Sequence, residues 1–180
     1  MAEPLFDKNS DTWVVVDDGI ATVGLTRWHT HRIYMYVDRI TLPEPGKSVA
    51  AGSEIGEVDC DKSTTEVITP VSGEVVECNR ELQAIQANSG WLFPDDPENV
   101  WFFRIRLSNP AELDGLVTRS QYRAYIKELE GPRRPIRDHV CARCGEPAVD
   151  CVLNPDSNPD DEQSFTWLCE RHAPELRWLD

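Results

Sequence analysis

The chain has 180 residues, 40% of them hydrophobic, and carries 18 Lys and Arg against 32 Asp and Glu, a formal net charge of -14. That length supplies one good core with at most a small appendage. So acidic a surface, with no basic stripe, would repel phosphate backbones and excludes a nucleic-acid role; it favours protein partners with basic docking faces. No apolar run approaches the ~20 residues needed to cross a bilayer, and Met1-Ala2-Glu3-Pro4-Leu5-Phe6-Asp7 has neither a basic n-region nor an apolar h-region, so a cytoplasmic chain with no membrane partner is expected.

Residues 1–10 read as an N-terminal extension. Trp13 to Val16 and Ile20 to Leu25 flank Asp17-Asp18-Gly19, and Asp-Gly accepts the positive φ angles of a tight turn, so an antiparallel hairpin is predicted. Trp28-His29-Thr30-His31-Arg32 follows. Two histidines two apart on a helix face different directions, so a surface or hydrogen-bonded role is expected for His29 and His31 rather than a metal site.

From Gly46 to Val76 short strands are punctuated by Gly52, Pro70 and Ser72-Gly73. Within them Val58 and Cys60 alternate with Asp59 and Asp61, the period of a half-buried strand, and a second strand-like stretch runs from Thr65 to Ile68. The polar break Lys62-Ser63-Thr64 between them predicts a tight turn presenting the Lys62 ammonium to solvent, the setting a modifying enzyme needs if it is to surround a lysine. Cys60 and Cys78, in strand patterns, are expected to be buried inert thiols. A helical turn is expected over 81–88, then a Pro- and Asp-rich loop from Trp91 to Asn99. Trp101, Phe103, Ile105 and Leu107 alternate with Phe102, Arg104 and Arg106 as another half-buried strand. Asn109-Pro110-Ala111-Glu112 predicts a helix start in which Asn109 caps, Pro110 takes the first position and Glu112 returns a bond to the cap's amide. A second helix is expected from about Arg119 to Leu129, ending at Gly131-Pro132.

Gly131-Pro132-Arg133-Arg134-Pro135 opens a stiff linker, placed at 131–138. Residues 139–180 read as a zinc-binding tail. Cys141-Ala142-Arg143-Cys144 and Cys169-Glu170-Arg171-His172, separated by 24 residues, offer three thiolates and an imidazole, which is a closed tetrahedral zinc shell. So short a segment cannot bury enough apolar surface alone, and a structural metal is the expected staple. Cys151 is a spare able to replace any one ligand. Asp156, Asp160, Asp161 and Glu162 are hard oxygen donors and poor competitors for such a site. Structural disulfides do not suit a chain lacking an export signal; a redox dithiol at Cys141 and Cys144 is the remaining alternative. Trp167 and Trp178 read as packing for the metal knuckles.

The stretch Asp61-Lys62-Ser63, followed by Thr65-Glu66-Val67 and Pro70-Val71-Ser72-Gly73-Glu74-Val75, resembles the attachment segment of lipoyl carrier domains. Biotin domains place a methionine on each side of the lysine, whereas Asp61 and Ser63 stand here. Trp13 to Thr26 resembles the opening hairpin of the glycine cleavage system H protein. Leu42-Pro43-Glu44-Pro45-Gly46 with Gly52 and Gly56, then Val75 to Asn79, and Ile105 to Leu113 continue the likeness over roughly residues 11 to 128. The family has an acidic short helix with a Leu-Gly-Asp step near the arm's resting cleft, where this chain has the more basic Arg27 to Met35, and a Gly-Trp step where this chain has Val100-Trp101.

The resemblance implies a mostly β fold, a lipoyl/biotinyl-carrier hammerhead of two small antiparallel sheets with short flanking helices over 11–130, to which the cysteine and histidine spacing adds a small C-terminal zinc-ribbon-like module. It implies a carrier rather than an enzyme, with covalent lipoate on Lys62, attached by lipoylation enzymes; Asp61, adjoining that lysine on the expected turn, would either steer the modifying enzyme or partner by its charge or only favour the turn. Its cargo would be an aminomethyl group passed among glycine decarboxylase, aminomethyltransferase and dihydrolipoyl dehydrogenase. Asp59-Cys60-Asp61-Lys62 also looks like the lipoyl domains of 2-oxoacid dehydrogenase acyltransferases, and that mixture suggests an H-like carrier for a sulfur-oxidation, heterodisulfide-reductase-like complex. A non-lipoylated zinc-containing interaction module is the reading from another class.

Overall fold

The computed structural model describes residues 3–32, 37–60, 63–84, 100–131, 139–153, 165–169 and 171. The chain separates into two compact units, Met1–Ile126 and Lys127–Asp180. The first is built mostly from antiparallel strands in two sheets.

Strands β1 (Leu5–Asp7), β2 (Thr12–Asp17) and β3 (Ile20–Leu25) open the larger sheet. The β2–β3 hairpin pairs Asp17 with Ile20 and turns on Asp18 and Gly19 at φ 46° and 74°. Two successive positive φ values are what a two-residue turn needs to match the strands' right-handed twist. Helix α1 (Arg27–Arg32) follows, with Thr26 at its start: the His29 N–H donates to Thr26 Oγ1 at 3.2 Å. Histidines 29 and 31 thus lie on a six-residue helix, and the His31 side chain is outside the described residues.

Strand β4 (Val37–Thr41) pairs with β6 (Glu54–Cys60), and β6 with β7 (Ser63–Ile68), forming the smaller sheet in the order β4-β6-β7. The short β5 (Ser48–Val49) and then β8 (Gly73–Cys78) return to the larger sheet. Helix α2 (Arg80–Gln83) begins one residue earlier than the expected helical turn. Asn79 caps it by accepting from the Glu81 N–H at 3.1 Å, while the remainder of that expectation, from 85 on, lies outside the described residues.

Strand β9 (Trp101–Leu107) completes the larger sheet, whose order is β10-β1-β2-β3-β9-β8-β5, with β10 (Val117–Thr118) at the far edge. Its burial corrects the expected alternation, because Phe102 and Phe103 are both buried. The ladder shifts register between Val75 and Glu77 on one neighbour and between Val23 and Gly24 on the other. Irregular pairing re-aims side chains that strict alternation would keep on opposite faces. The core joins both sheets: Val14, Val23, Val75 and Ile105 come from one, and Ile40, Ile55, Val58 and Val67 from the other.

Helix α3 (Arg119–Glu130) has the expected extent to within a residue and ends at Gly131, φ 63°, the left-handed residue that commonly closes a helix. It buries Tyr122 and Ile126. The Tyr122 ring stacks on Phe6, and its hydroxyl donates to Asp11 Oδ1 at 2.7 Å. Burial pushes the Tyr122 phenol well above its ordinary range, so the ring remains a neutral donor.

In the second unit, β11 (Asp150–Leu153) and β12 (Phe165–Leu168) form an antiparallel pair. Among the described residues its buried apolar set is small: Cys141, Ala148, Leu168 and Cys169.

Candidate functional site

The β6–β7 hairpin carries the first candidate site. The ladder pairs Cys60 with Ser63, Asp59 with Thr64 and Val58 with Thr65, so two residues, Asp61 and Lys62, separate the paired ends in the sequence. Both lie outside the described residues. Val58, Cys60 and Val67 of the hairpin are buried, while Ser63 and Thr64 are exposed.

Across the open face three strands are stitched together at Asp59. Thr64 Oγ1 donates to Asp59 Oδ1 at 2.7 Å, and the Arg39 guanidinium on β4 donates twice to Oδ2, at 2.9 and 2.7 Å. The Thr64 hydroxyl, and after it Arg39, hold the Asp59 carboxyl below its ordinary value. Arg39 is 68% exposed, so the ion pair itself is worth only about 0–1 kcal/mol. Its chief effect is geometric, tying β4 to β6 beside the hairpin's end. On the same strand Gly56 lies so close to β4 that a Cβ there would meet Thr41 O at 2.4 Å.

Glu112 does not close a capping box. The segment Pro110–Gly115 is a 3-10 helix with no side-chain cap at Asn109. The Glu112 carboxylate reaches a different strand connection instead, accepting from the Ser72 N–H and the Ser72 Oγ, both at 2.7 Å. Burial works against its charge, but these bonds and one from Asn109 outweigh it and hold the carboxyl below its ordinary value. The physical reason is competition: two strong donors across 40 positions outbid one local amide.

Cys78 is buried and donates to Pro43 O at 2.8 Å. Burial, helped by Glu44 and Glu77, pushes its thiol up to about 11. Burial also raises Cys60. Both are poor nucleophiles near neutrality.

The second candidate site is in the other unit. The sulfurs of Cys141, Cys144 and Cys169 lie within 4.8 Å of one another, with Cys144 Sγ 3.5 Å from Cys169 Sγ. The described cysteines are all free thiols. His172 and the side chain of Cys151 are outside the described residues, so neither is seen to join or miss the cluster.

A family model, the glycine cleavage H-protein, matches residues 5–129. The chain belongs to that family. A glycine cleavage system H protein of Rhodospirillum rubrum is 39% identical over 127 residues, covering 70% of this chain and 98% of the relative. One from Paramagnetospirillum magneticum is 37% identical, covering 72% and 100%. The crystal structure of an H protein from Mycobacterium marinum shares the fold, with a TM-score of 0.53 at 24% identity over 70% of this chain and 98% of that one.

The H-protein match thus takes in both sheets of the first unit, the β6–β7 hairpin and Glu112. The three-cysteine cluster lies beyond its end. Sequence reading of this H-family chain missed the Arg39–Asp59–Thr64 clamp. The signal present was an acidic residue on β6 and a basic one on β4 in strand-alternating positions, but strand pairing between 39 and 59 is not visible from spacing.

Proposed function

We propose that this H-family chain is a lipoyl carrier bearing lipoate in amide linkage on Lys62, shuttling an aminomethyl group between enzymes of the glycine cleavage system. The observation that carries this is the family match running through the hairpin whose paired strand ends, Cys60 and Ser63, leave only Asp61 and Lys62 between them. The residues suit an amide-linked arm: a primary amine in a two-residue connection, beside strands cross-tied by Asp59 and seated on Val58 and Val67. When attached, lipoate supplies a dithiol/disulfide couple that takes up and releases the cargo. The chain's own residues do no bond chemistry. Their work is to hold the base of the tether firm while the arm swings, so that each encounter becomes nearly intramolecular once the carrier has docked. The carboxylate-rich surface suits docking faces rich in Lys and Arg, and Asp61 adds a charge next to the modified amine.

The partners that follow are lipoylation enzymes, then glycine decarboxylase, aminomethyltransferase and dihydrolipoyl dehydrogenase. The Asp61-Lys62 pair, shared with acyltransferase lipoyl segments, favours as the second reading a carrier serving a sulfur-oxidation, heterodisulfide-reductase-like complex. Co-expression with lipoylation enzymes, followed by intact-mass and peptide analysis, tests attachment. One lipoyl group on Lys62 is expected, and none on the Lys62→Arg chain. Modification of another lysine would overturn Lys62 as the attachment site, and none with several lipoylation systems would leave the non-lipoylated, zinc-containing interaction module as the better account. Turnover with the glycine decarboxylase set separates the first reading from the sulfur-oxidation one.

A further inference from the structure

We infer that the second unit is organised by a structural zinc ion held by the thiolates of Cys141, Cys144 and Cys169, with His172 completing the shell. Three sulfurs converge, and that is the first reason. A zinc ion with Zn–S bonds of about 2.3 Å in a tetrahedron spaces its sulfurs by about 3.8 Å; the observed group lies within 4.8 Å, with one pair at 3.5 Å. A disulfide would use two sulfurs and leave no reason for the third to be there.

The backbone is wrapped around these sulfurs. The Cys141 N–H donates to Glu146 O at 2.7 Å, the Gly145 N–H donates to Cys141 O at 2.9 Å, and Gly145 takes φ 75°. The Arg143 N–H approaches Cys141 Sγ at 3.4 Å. The β11–β12 ladder pairs Asp150 with Leu168, which puts Cys169 one residue beyond the strand end. The Ala142 N–H then donates to Trp167 O at 2.9 Å, fastening the knuckle of Cys141 and Cys144 to the strand that carries Cys169. His139 stacks on Trp167 with ring centres 3.7 Å apart, so Trp167 serves packing, as expected for it.

Charge and core size point the same way. Three thiolates with one Zn²⁺ leave a net charge of about -1. Arg171 lies against Cys144 and also pairs with Glu146 at 2.8 Å, which offsets that charge at the rim. Two of the four buried apolar residues described in this unit are the ligands Cys141 and Cys169 themselves. Without a cross-link, so small a core gives too little burial to order the segment. The donors are soft, which selects zinc over magnesium or calcium. His172 is assigned from the sequence, where it stands three residues after Cys169, the spacing of a second knuckle.

The test uses the full chain purified without chelator and needs no lipoylation, so its result is independent of the carrier reading. Elemental analysis should find about one zinc per chain. The cobalt-substituted chain should show thiolate-to-metal charge transfer and the visible bands of a tetrahedral ion. Cys169→Ser and Cys141→Ser should each lose the bound metal. His172→Ala should shift the visible bands and weaken metal retention about 10-fold or more under competition by a chelator, whereas Cys151→Ser should leave both unchanged. Under half an equivalent of zinc, a six-coordinate cobalt spectrum, or a Cys144–Cys169 disulfide under reducing conditions would overturn the site. Loss of the bands in Cys151→Ser but not in His172→Ala would overturn the fourth ligand.

Discussion

At Glu112 one carboxylate joins the 3-10 helix to the Ser72-Gly73 connection through two 2.7 Å bonds. Its pKa lies below the ordinary 4.5, so its contribution to stability is complete above that value. The contribution is lost as pH falls through the lower folded-state value, because protonation removes charge-assisted acceptors while the unfolded chain binds its proton earlier. Glu112→Gln should therefore cost about 1 kcal/mol at pH 7, discounted for partial exposure. The gap to wild type should narrow as pH is lowered below about 4. Urea unfolding of both chains across that range is the measurement; a gap that does not vary with pH would mean that the charge contributes nothing.

The β6–β7 hairpin is held on one face by burial of Val58 and Val67 and on the other by the Arg39–Asp59–Thr64 bonds. The hairpin's fold and its recognition are therefore separable. The burial and the bonds that hold the hairpin lie in its strands, so Asp61→Val should leave the unfolding midpoint within about 0.5 kcal/mol of wild type. If the charge guides approach of a modifying or partner enzyme, that substitution should change the rate of lipoylation or cargo transfer by about 2- to 10-fold, with the difference shrinking at high salt. Equal rates with every enzyme tried, at low and high salt, would reduce Asp61 to a residue that favours a turn.

In the whole molecule, the two units draw stability from different sources. The first has an apolar core shared by two sheets, with Val14, Val58, Val67, Phe103 and Ile105 fully buried. The second has little such core among its described residues and three converging thiols. Chelation should accordingly remove amide protection from residues after about 138 and leave the strands of the first unit protected. Hydrogen exchange read by peptide mass spectrometry, with and without chelator, resolves the two. Loss of protection in β6 or β9 on chelation would show that the metal supports the carrier core as well.

What was legible in the sequence was local. The period-two pattern announced β6 and β9, Asp18-Gly19 announced a two-residue turn, and Cys-x-x-Cys announced that Cys141 and Cys144 share one knuckle, because each depends on residues a few positions apart. The run of likeness around Lys62 brought the family with it, which the match over residues 5–129 shows. Other features waited on the tertiary structure. Phe102 is buried because neighbouring strands slip register, Glu112 turns to Ser72 because that connection is folded beside it, and Asp59 meets Arg39 because β4 pairs with β6. Each of these depends on which distant segments become neighbours, and strand pairing is decided by the packing of the whole sheet rather than by any one strand's own residues.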